Sequence, residues 1–215
     1  ELPQTRWHCR ACRGRPEGCE SCNHTGLQYP ESVQDLIGEP IRLSLAAEDT
    51  SFHGMGREDI DVRCLGMGRP FVIEIKKPGT RLANLEEIQK AVNENAKNKV
   101  EINSLRWSDR KEVVKVKESR SEKSYTIRFK VEEIPDEEIV IEAISSLSGV
   151  ELSQETPKRV AHRRAAKNRK RKVVSLSNII VEDDEIQFSV RCEAGTYVKE
   201  LVHSDEGRTV PSVRS

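Results

Sequence analysis

Apolar positions along the chain recur with two different periods. Phe71, Ile73 and Ile75 alternate with Val72, Glu74 and Lys76, which is the period of a strand. Tyr125, Ile127, Phe129 and Val131 share one face of a second strand. Val173 to Val181 and Ile186 to Cys192 read as two more strands around the turn Glu182-Asp183-Asp184-Glu185. Leu82, Leu85, Ile88 and Val92 recur at helical spacing and predict a helix from about Leu82 to Lys97. Val140, Ile144 and Leu147 mark another helix, with Gly149 as its stop. Ahead of these, Pro30 to Gly38 reads as a connection into a short helix, with Ser32 and Asp35 spaced as a weak capping pattern. Strands interspersed with two or three helices, in no regular alternation, predict an α+β fold. The sequence shows no internal repeat.

Composition narrows this picture. The chain has 215 residues, 35% hydrophobic and 33% charged. That length suits one domain, or one and a half, and a real core needs no obligatory staple. The low apolar share predicts a modest core under a highly charged surface. No apolar run approaches the roughly 18 residues of a membrane-crossing helix, and the expected location is the cytoplasm. The start, Glu1-Leu2-Pro3-Gln4-Thr5-Arg6, has no initiator Met and no signal-peptide pattern, and it reads as the start of a fragment. The 36 Lys and Arg balance 36 Asp and Glu. Yet Lys158 to Lys172 holds nine basic residues and no acidic one, and Glu132 to Glu138 is acidic at five of seven positions. A neutral average with a basic block predicts a polyanion-binding face. The plain alternatives for the block are a solvated loop or a localisation-like run.

Four of the six cysteines form Cys9-x2-Cys12-x6-Cys19-x2-Cys22. Two Cys-x-x-Cys pairs around a Gly/Pro-rich spacer complete a shell of four thiolates, so Cys9, Cys12, Cys19 and Cys22 are expected to hold a structural Zn²⁺. Two disulfides in a secreted protein are the alternative, and nothing marks the chain as secreted. His8 and His24 flank the pairs as substitute ligands. Arg6, Arg10, Arg13 and Arg15 surround the site and suit phosphate contact. Cys64 and Cys192 stand alone and read as buried small hydrophobes.

The densest segment runs from Gly54 to Pro70, with five Gly or Pro, three Arg and three acidic residues. Glycines let backbone approach a ligand, and an Arg-flanked Asp stays ionised when partly buried. Three readings arise. One is a charged turn beside a strand edge. Another joins Asp61 to Glu74-Ile75-Lys76 as a divalent-metal nuclease site, although Glu74 and Lys76 alternate with an ordinary apolar face. The third makes Asp59 a lone carboxylate acting on a base or sugar without metal.

Gly56-Arg57-Glu58-Asp59-Ile60-Asp61-Val62-Arg63 resembles the Gly-Arg-x-Asp motif of pseudouridine synthases. The run through Leu65-Gly66-Met67-Gly68-Arg69-Pro70-Phe71 looks closer to one family. That family is the archaeal and eukaryotic tRNA pseudouridine synthases that modify uridines 54 and 55 of the T-arm. Lys123-Ser124-Tyr125, Thr156 to Arg164, and Ala194 to His203 resemble it in the same order, as does the Cys-rich start followed by Tyr29-Pro30-Glu31-Ser32-Val33.

The resemblance implies a tRNA-modifying isomerase on a mixed, mostly antiparallel sheet with flanking helices. Residues 1–30 would be the zinc knuckle and 31–215 the catalytic domain. Asp59 would be the essential carboxylate and Lys199 its basic partner. Tyr125 would stack on the target base, with an ordinary core Tyr as the rival reading. Leu201 would line an apolar pocket, and Arg57 would help hold the everted nucleotide. The target base sits inside a folded arm and must be flipped out at a cost of a few kcal/mol, as is typical of base flipping. Phosphate contacts offset such a cost, and Arg159, Arg163, Arg164, Lys167, Arg169, Lys170, Arg171 and Lys172 suit that role. The block has no aromatics, so it should grip backbone and shape rather than stack on bases. No organic cofactor and no catalytic metal are expected, and the chain is expected to act as a monomer. Full-length family members carry a further amino-terminal RNA-binding domain, which this chain starts too late to include; a separate protein is the alternative source of those contacts. A non-catalytic zinc RNA-binding module is the remaining alternative.

Overall fold

In the computed structural model, residues 1–132 and 136–214 are described, and the side chain of Arg163 is not. The acidic run from Glu132 to Glu138 and the RNA-contact expectation for Arg163 thus fall partly or wholly outside the described residues. The chain divides into two compact units, Glu1–Ser119 and Arg120–Ser215.

In the first unit, Ser32 Oγ accepts the N–H of Asp35 at 3.1 Å and starts α1, Val33–Ser44. The helix runs well past Gly38, the end of the stretch expected to lead into it. Gly38 sits against β1 (Asp49–Gly54), where a Cβ would lie 2.4 Å from Thr50 Oγ1. Pro40 lies inside α1 and has no N–H to give to the Leu36 carbonyl one turn back. Asn95 fills that gap, its Nδ2 donating to Leu36 O at 3.0 Å. Asn95→Ala is expected to destabilise the unit by about 1–2 kcal/mol, because it orphans that carbonyl. A denaturant midpoint unchanged from wild type would refute it.

β1 pairs antiparallel with β2, Phe71–Lys76, from Asp49↔Lys76 to Gly54↔Phe71. The expected strand at Phe71 is thus present. α2 spans Leu85–Asn95, shorter than the expected 82–97. Asn84 Oδ1 accepts the N–H groups of Glu86 and Glu87 and sets the start there, leaving Leu82 88% exposed outside the helix. The helix α3, Arg110–Glu118, opens on an Asp109 cap and was not foreseen, because its pattern is mostly charged. Ile37, Ile41, Leu45, Ile88, Val92 and Ile102 form the core of this unit, with Phe52 and Phe71 stacked at 5.3 Å beside it.

The second unit is a five-stranded sheet. Its strands are β3 (Lys123–Lys130), β4 (Glu151–Glu155), β5 (Asn168–Glu182), β6 (Glu185–Cys192) and β7 (Thr209–Val210), in the order β3-β6-β5-β4-β7. Each of these pairings is antiparallel. The helix α4, Glu137–Ser146, carries the expected Val140 and Ile144 onto Leu152, Val173, Phe188 and Leu201. Gly149 follows it at φ 78°, as its stop position requires. A 3-10 turn, Lys158–Arg163, follows β4, and α5 spans Val198–His203. The strand expected from Val173 starts five residues earlier. The second half of the basic block pairs with β4, a short polar strand that carries little apolar signal of its own. Among the described residues, no helix is long and apolar enough to cross a membrane.

Candidate active site and metal centre

Residues 55–70 form the loop that joins β1 to β2. The Met55 N–H donates to Pro70 O at 3.0 Å, extending the ladder by one step past Gly54↔Phe71. Gly56 then turns away at φ 86°, in the left-handed region where a side chain is strained. Asp59 follows, half-buried, and its carbonyl accepts the N–H of Val62 at 3.2 Å, closing a turn just beyond it. Glu58 and Arg69 pair at 2.7 Å and tie the two limbs of the loop together. At the tip, Met67 is 99% exposed between two positive-φ glycines. Cys64 is exposed in the same loop, correcting the expectation that it is buried; Cys192 is buried as expected.

Residues ahead of the first cysteine contact this loop, and the sequence does not mark them. The Leu2 N–H donates to Ile60 O at 3.0 Å, and Gln4 Nε2 donates to Gly56 O at 3.2 Å. The Arg57 guanidinium lies over the Trp7 ring, 5.4 Å from its centroid. A Trp and a Gln at a polar chain start carry no periodic signal that would have marked them.

Two of the three residues of the nuclease reading, Glu74 and Lys76, pair with side chains of β1. Glu74 pairs with His53 at 3.2 Å and Lys76 with Asp49 at 2.9 Å, both on the exposed face of the hairpin. Among the described residues, the one group of three or more His, Cys, Asp or Glu ligand atoms close enough to share an ion is the cysteine quartet.

The quartet's sulfurs all lie within 4.8 Å of one another. The Cys9–Cys19, Cys12–Cys22 and Cys19–Cys22 Sγ distances are 3.8, 3.9 and 3.7 Å. A tetrahedron of thiolates about 2.3 Å from zinc has edges of about 3.8 Å, whereas a disulfide needs about 2.05 Å. All four thiols are free, and the donor set fits zinc. Burial pushes the Cys22 thiol up, but the N–H groups of Cys19 and Gly26 aimed at its Sγ outweigh that and bring it down to about 6. Burial and the Cys22 and Cys9 thiols drive Cys19 the other way, to about 11. Backbone donors thus prepare one thiolate, as a ligand turn should. His24 Nδ1 instead bonds the Glu17 carbonyl at 3.2 Å.

The other residues expected to serve the reaction lie in the second unit. Tyr125, on β3, is half-buried and packs against the core cluster that contains Leu201, which is fully buried on α5. Lys199 is exposed in the first turn of α5. Its neighbours are fixed from two directions. Buried Gln154 accepts the Tyr197 N–H at 2.9 Å and donates to the Tyr197 carbonyl at 3.0 Å. Glu200, 1% exposed, takes a bidentate pair from Arg159 at 2.6 and 3.2 Å. Of the basic block, Arg164, Lys167, Lys170 and Lys172 are exposed, whereas Arg169 and Arg171 are half-buried. Lys170 pairs with Glu151 at 2.8 Å, and Arg169 lies 5.8 Å from the Tyr197 ring centroid. Arg159→Ala removes the bidentate partner of buried Glu200, leaving it, among the described residues, only His203 at 3.9 Å, and is expected to cost about 3–5 kcal/mol, most of it recovered by adding Glu200→Leu. Chemical denaturation of the single and double variants checks this, and equal losses in both would refute it.

A model of the family described as "Pus10, C-terminal" matches residues 1–215. The chain is 44% identical over 215 residues to a protein of Methanocaldococcus jannaschii, covering 100% of this chain and 46% of that one. It is 46% identical over 212 residues to one of Methanothrix thermoacetophila, covering 99% and 46%. It is 42% identical over 212 residues to one of Archaeoglobus fulgidus, covering 99% and 58%. All three are named tRNA pseudouridine synthase Pus10. The chain spans about half the length of the curated relatives it matches. Among solved structures, a chain of a "Cbf5-Nop10-Gar1 Complex" crystal structure matches with a TM-score of 0.49 and 20% identity, over 81% of this chain and 40% of that one. The match of the whole chain, from the cysteine quartet through the Asp59 loop to the last strand, places it in the family of Pus10 C-terminal regions.

Proposed function

We propose that the chain is the catalytic part of a tRNA pseudouridine synthase that isomerises uridine 54, uridine 55 or both in the T-arm. One observation carries the proposal. The Gly-Arg-x-Asp sequence expected to bear the catalytic carboxylate lies in a loop tied down on both sides of Asp59. The relatives' name supports the substrate class. Asp59 attacks the target nucleotide or assists glycosidic cleavage as a base. The N1–C1′ bond breaks, the uracil turns, and a C5–C1′ bond forms. The proton leaves C5 and N1 gains one, so atoms balance without a co-reactant. In this reading Arg57 holds the everted nucleotide, Tyr125 stacks on the base, Leu201 shapes an apolar wall and Lys199 supplies a cation. Arg164, Lys167, Arg169, Lys170, Arg171 and Lys172 contribute phosphate contacts, with Arg159 acting through Glu200. Residues 1–30 serve as a structural zinc knuckle and 31–215 as the catalytic part. The reaction needs no organic cofactor and no catalytic metal, and the chain acts as a monomer in the cytoplasm.

The test is pseudouridine formation on an unmodified tRNA transcript, with and without a brief EDTA treatment. Product in both conditions supports the reading and rejects the metal-dependent nuclease. No product from the chain at saturating tRNA, with binding intact, overturns the reading that these 215 residues catalyse.

A further inference from the structure

We propose that residues 2–7 form a strap that positions the catalytic loop, with Gln4 and Trp7 as positioning residues for Asp59 and Arg57. The inference rests on the reading of Asp59 as the catalytic carboxylate. The strap touches the loop at three places that bracket Asp59: Gln4 at the Gly56 carbonyl, Trp7 beneath the Arg57 guanidinium, and the Leu2 N–H at the Ile60 carbonyl. Between these anchors lie Glu58, already paired with Arg69, and Asp59 itself.

Gly54 fits this arrangement. A Cβ there would come within 2.2 Å of Gln4 Nε2, so the strap's amide occupies space that any side chain at 54 would take. The strap is itself held from the other side. The first N–H groups of α1, from Val33 and Gln34, donate to the carbonyls of Pro3 and Gln4 at 2.9 and 3.1 Å. Such N–H groups lack partners within a helix, so the strap satisfies them. The Gln28 N–H donates to Trp7 O at 2.8 Å, and Tyr29 meets the Trp7 ring edge-on at 5.6 Å. The loop backbone is thereby referenced to a helix end and to the base of the cysteine segment. A cation over a Trp face keeps its place with few rotamers to choose from, so Trp7 sets where the Arg57 guanidinium lies.

Positioning predicts a loss in turnover without a matching loss in tRNA affinity, because displacing a reacting group by about 1 Å can cost up to about 100-fold. The experiment compares Gln4→Leu, Trp7→Leu and Trp7→Phe. It measures kcat and KM for tRNA, the folded fraction at the assay temperature, and the rate of tryptic cleavage after Arg57 and Arg63. Gln4→Leu and Trp7→Leu are expected to lower kcat by about 10- to 100-fold. KM should stay within about twofold, and cleavage in the loop should accelerate. Trp7→Phe, which keeps a ring under Arg57, is expected to recover most of the rate. Unchanged kcat and unchanged loop cleavage would overturn the proposal, and so would a kcat loss that vanishes once rates are scaled to the folded fraction. A wild-type chain that makes no pseudouridine fails the functional reading alone, since loop cleavage still decides whether the strap holds the loop.

Discussion

Asp59→Asn is expected to abolish pseudouridine formation, with a loss of about 10⁴-fold or more, as when the central nucleophile of a site is removed. The substitution keeps size and shape but removes the charge that either attacks the nucleotide or accepts a proton. The side chain is half-buried in a loop, and the turn that follows uses the backbone carbonyl of Asp59, which Asn retains. The loop's other ties, Glu58–Arg69 and Gln4 to Gly56, do not involve residue 59. Product should fall below detection, and thermal midpoint and tRNA affinity measured on the same variant separate a loss of chemistry from a loss of fold or binding. Residual activity within tenfold of wild type would remove Asp59 from the chemistry.

Metal removal should have the second-largest effect, and its readout is structural. The cluster at the cysteine segment consists of Cys9, Cys12 and Cys22, with Cys19 packed against them and no aliphatic side chain. Such a segment buries only its cysteines, too little apolar surface to offset the entropy of ordering its backbone. Structural zinc in small peptide sites contributes apparent binding free energies of about 10–16 kcal/mol, more than most whole domains hold in reserve. We expect one zinc per purified chain. Chelation at neutral pH, or Cys12→Ser, is expected to open residues 9–27 to trypsin at Arg10 and Arg13. A metal-free chain with the same tryptic pattern before and after chelator would show that the quartet is held by other means.

Elements with strong apolar periodicity were legible. Phe71–Lys76, the Val140 helix and the Ile186–Cys192 strand fall where alternation or helical spacing put them. The helix start at Leu85 was missed because the signal there is the Asn84 side chain, which competes with an apolar Leu82 that looks helical. β4 and the basic half of β5 escaped because each supplies the other's pairing partner, and partners distant in sequence are invisible to a local window. The Cys quartet was fully legible, since ligand spacing is chemistry written in order. The Asp59 loop was legible as a dense motif, but its strap was not. Gln4 and Trp7 act by reaching the Gly56 carbonyl and the Arg57 guanidinium some fifty residues away. Glu200 was equally hidden: a charged residue in a fully buried position announces itself only once Arg159 is seen beside it.

The strand order has a consequence for the newly made chain. β5 and β6 are joined by a tight turn and pair at once, a step of about microseconds. β3 must instead find β6 far downstream, with Lys123 opposite Cys192, 69 residues on. At ribosomal rates of about 5–20 residues per second, β3 waits roughly 3–14 s with Tyr125, Ile127 and Phe129 uncovered. β3, at the edge of the sheet, therefore stays unpaired until β6 has been made, and it is the segment that a nascent-chain chaperone would meet.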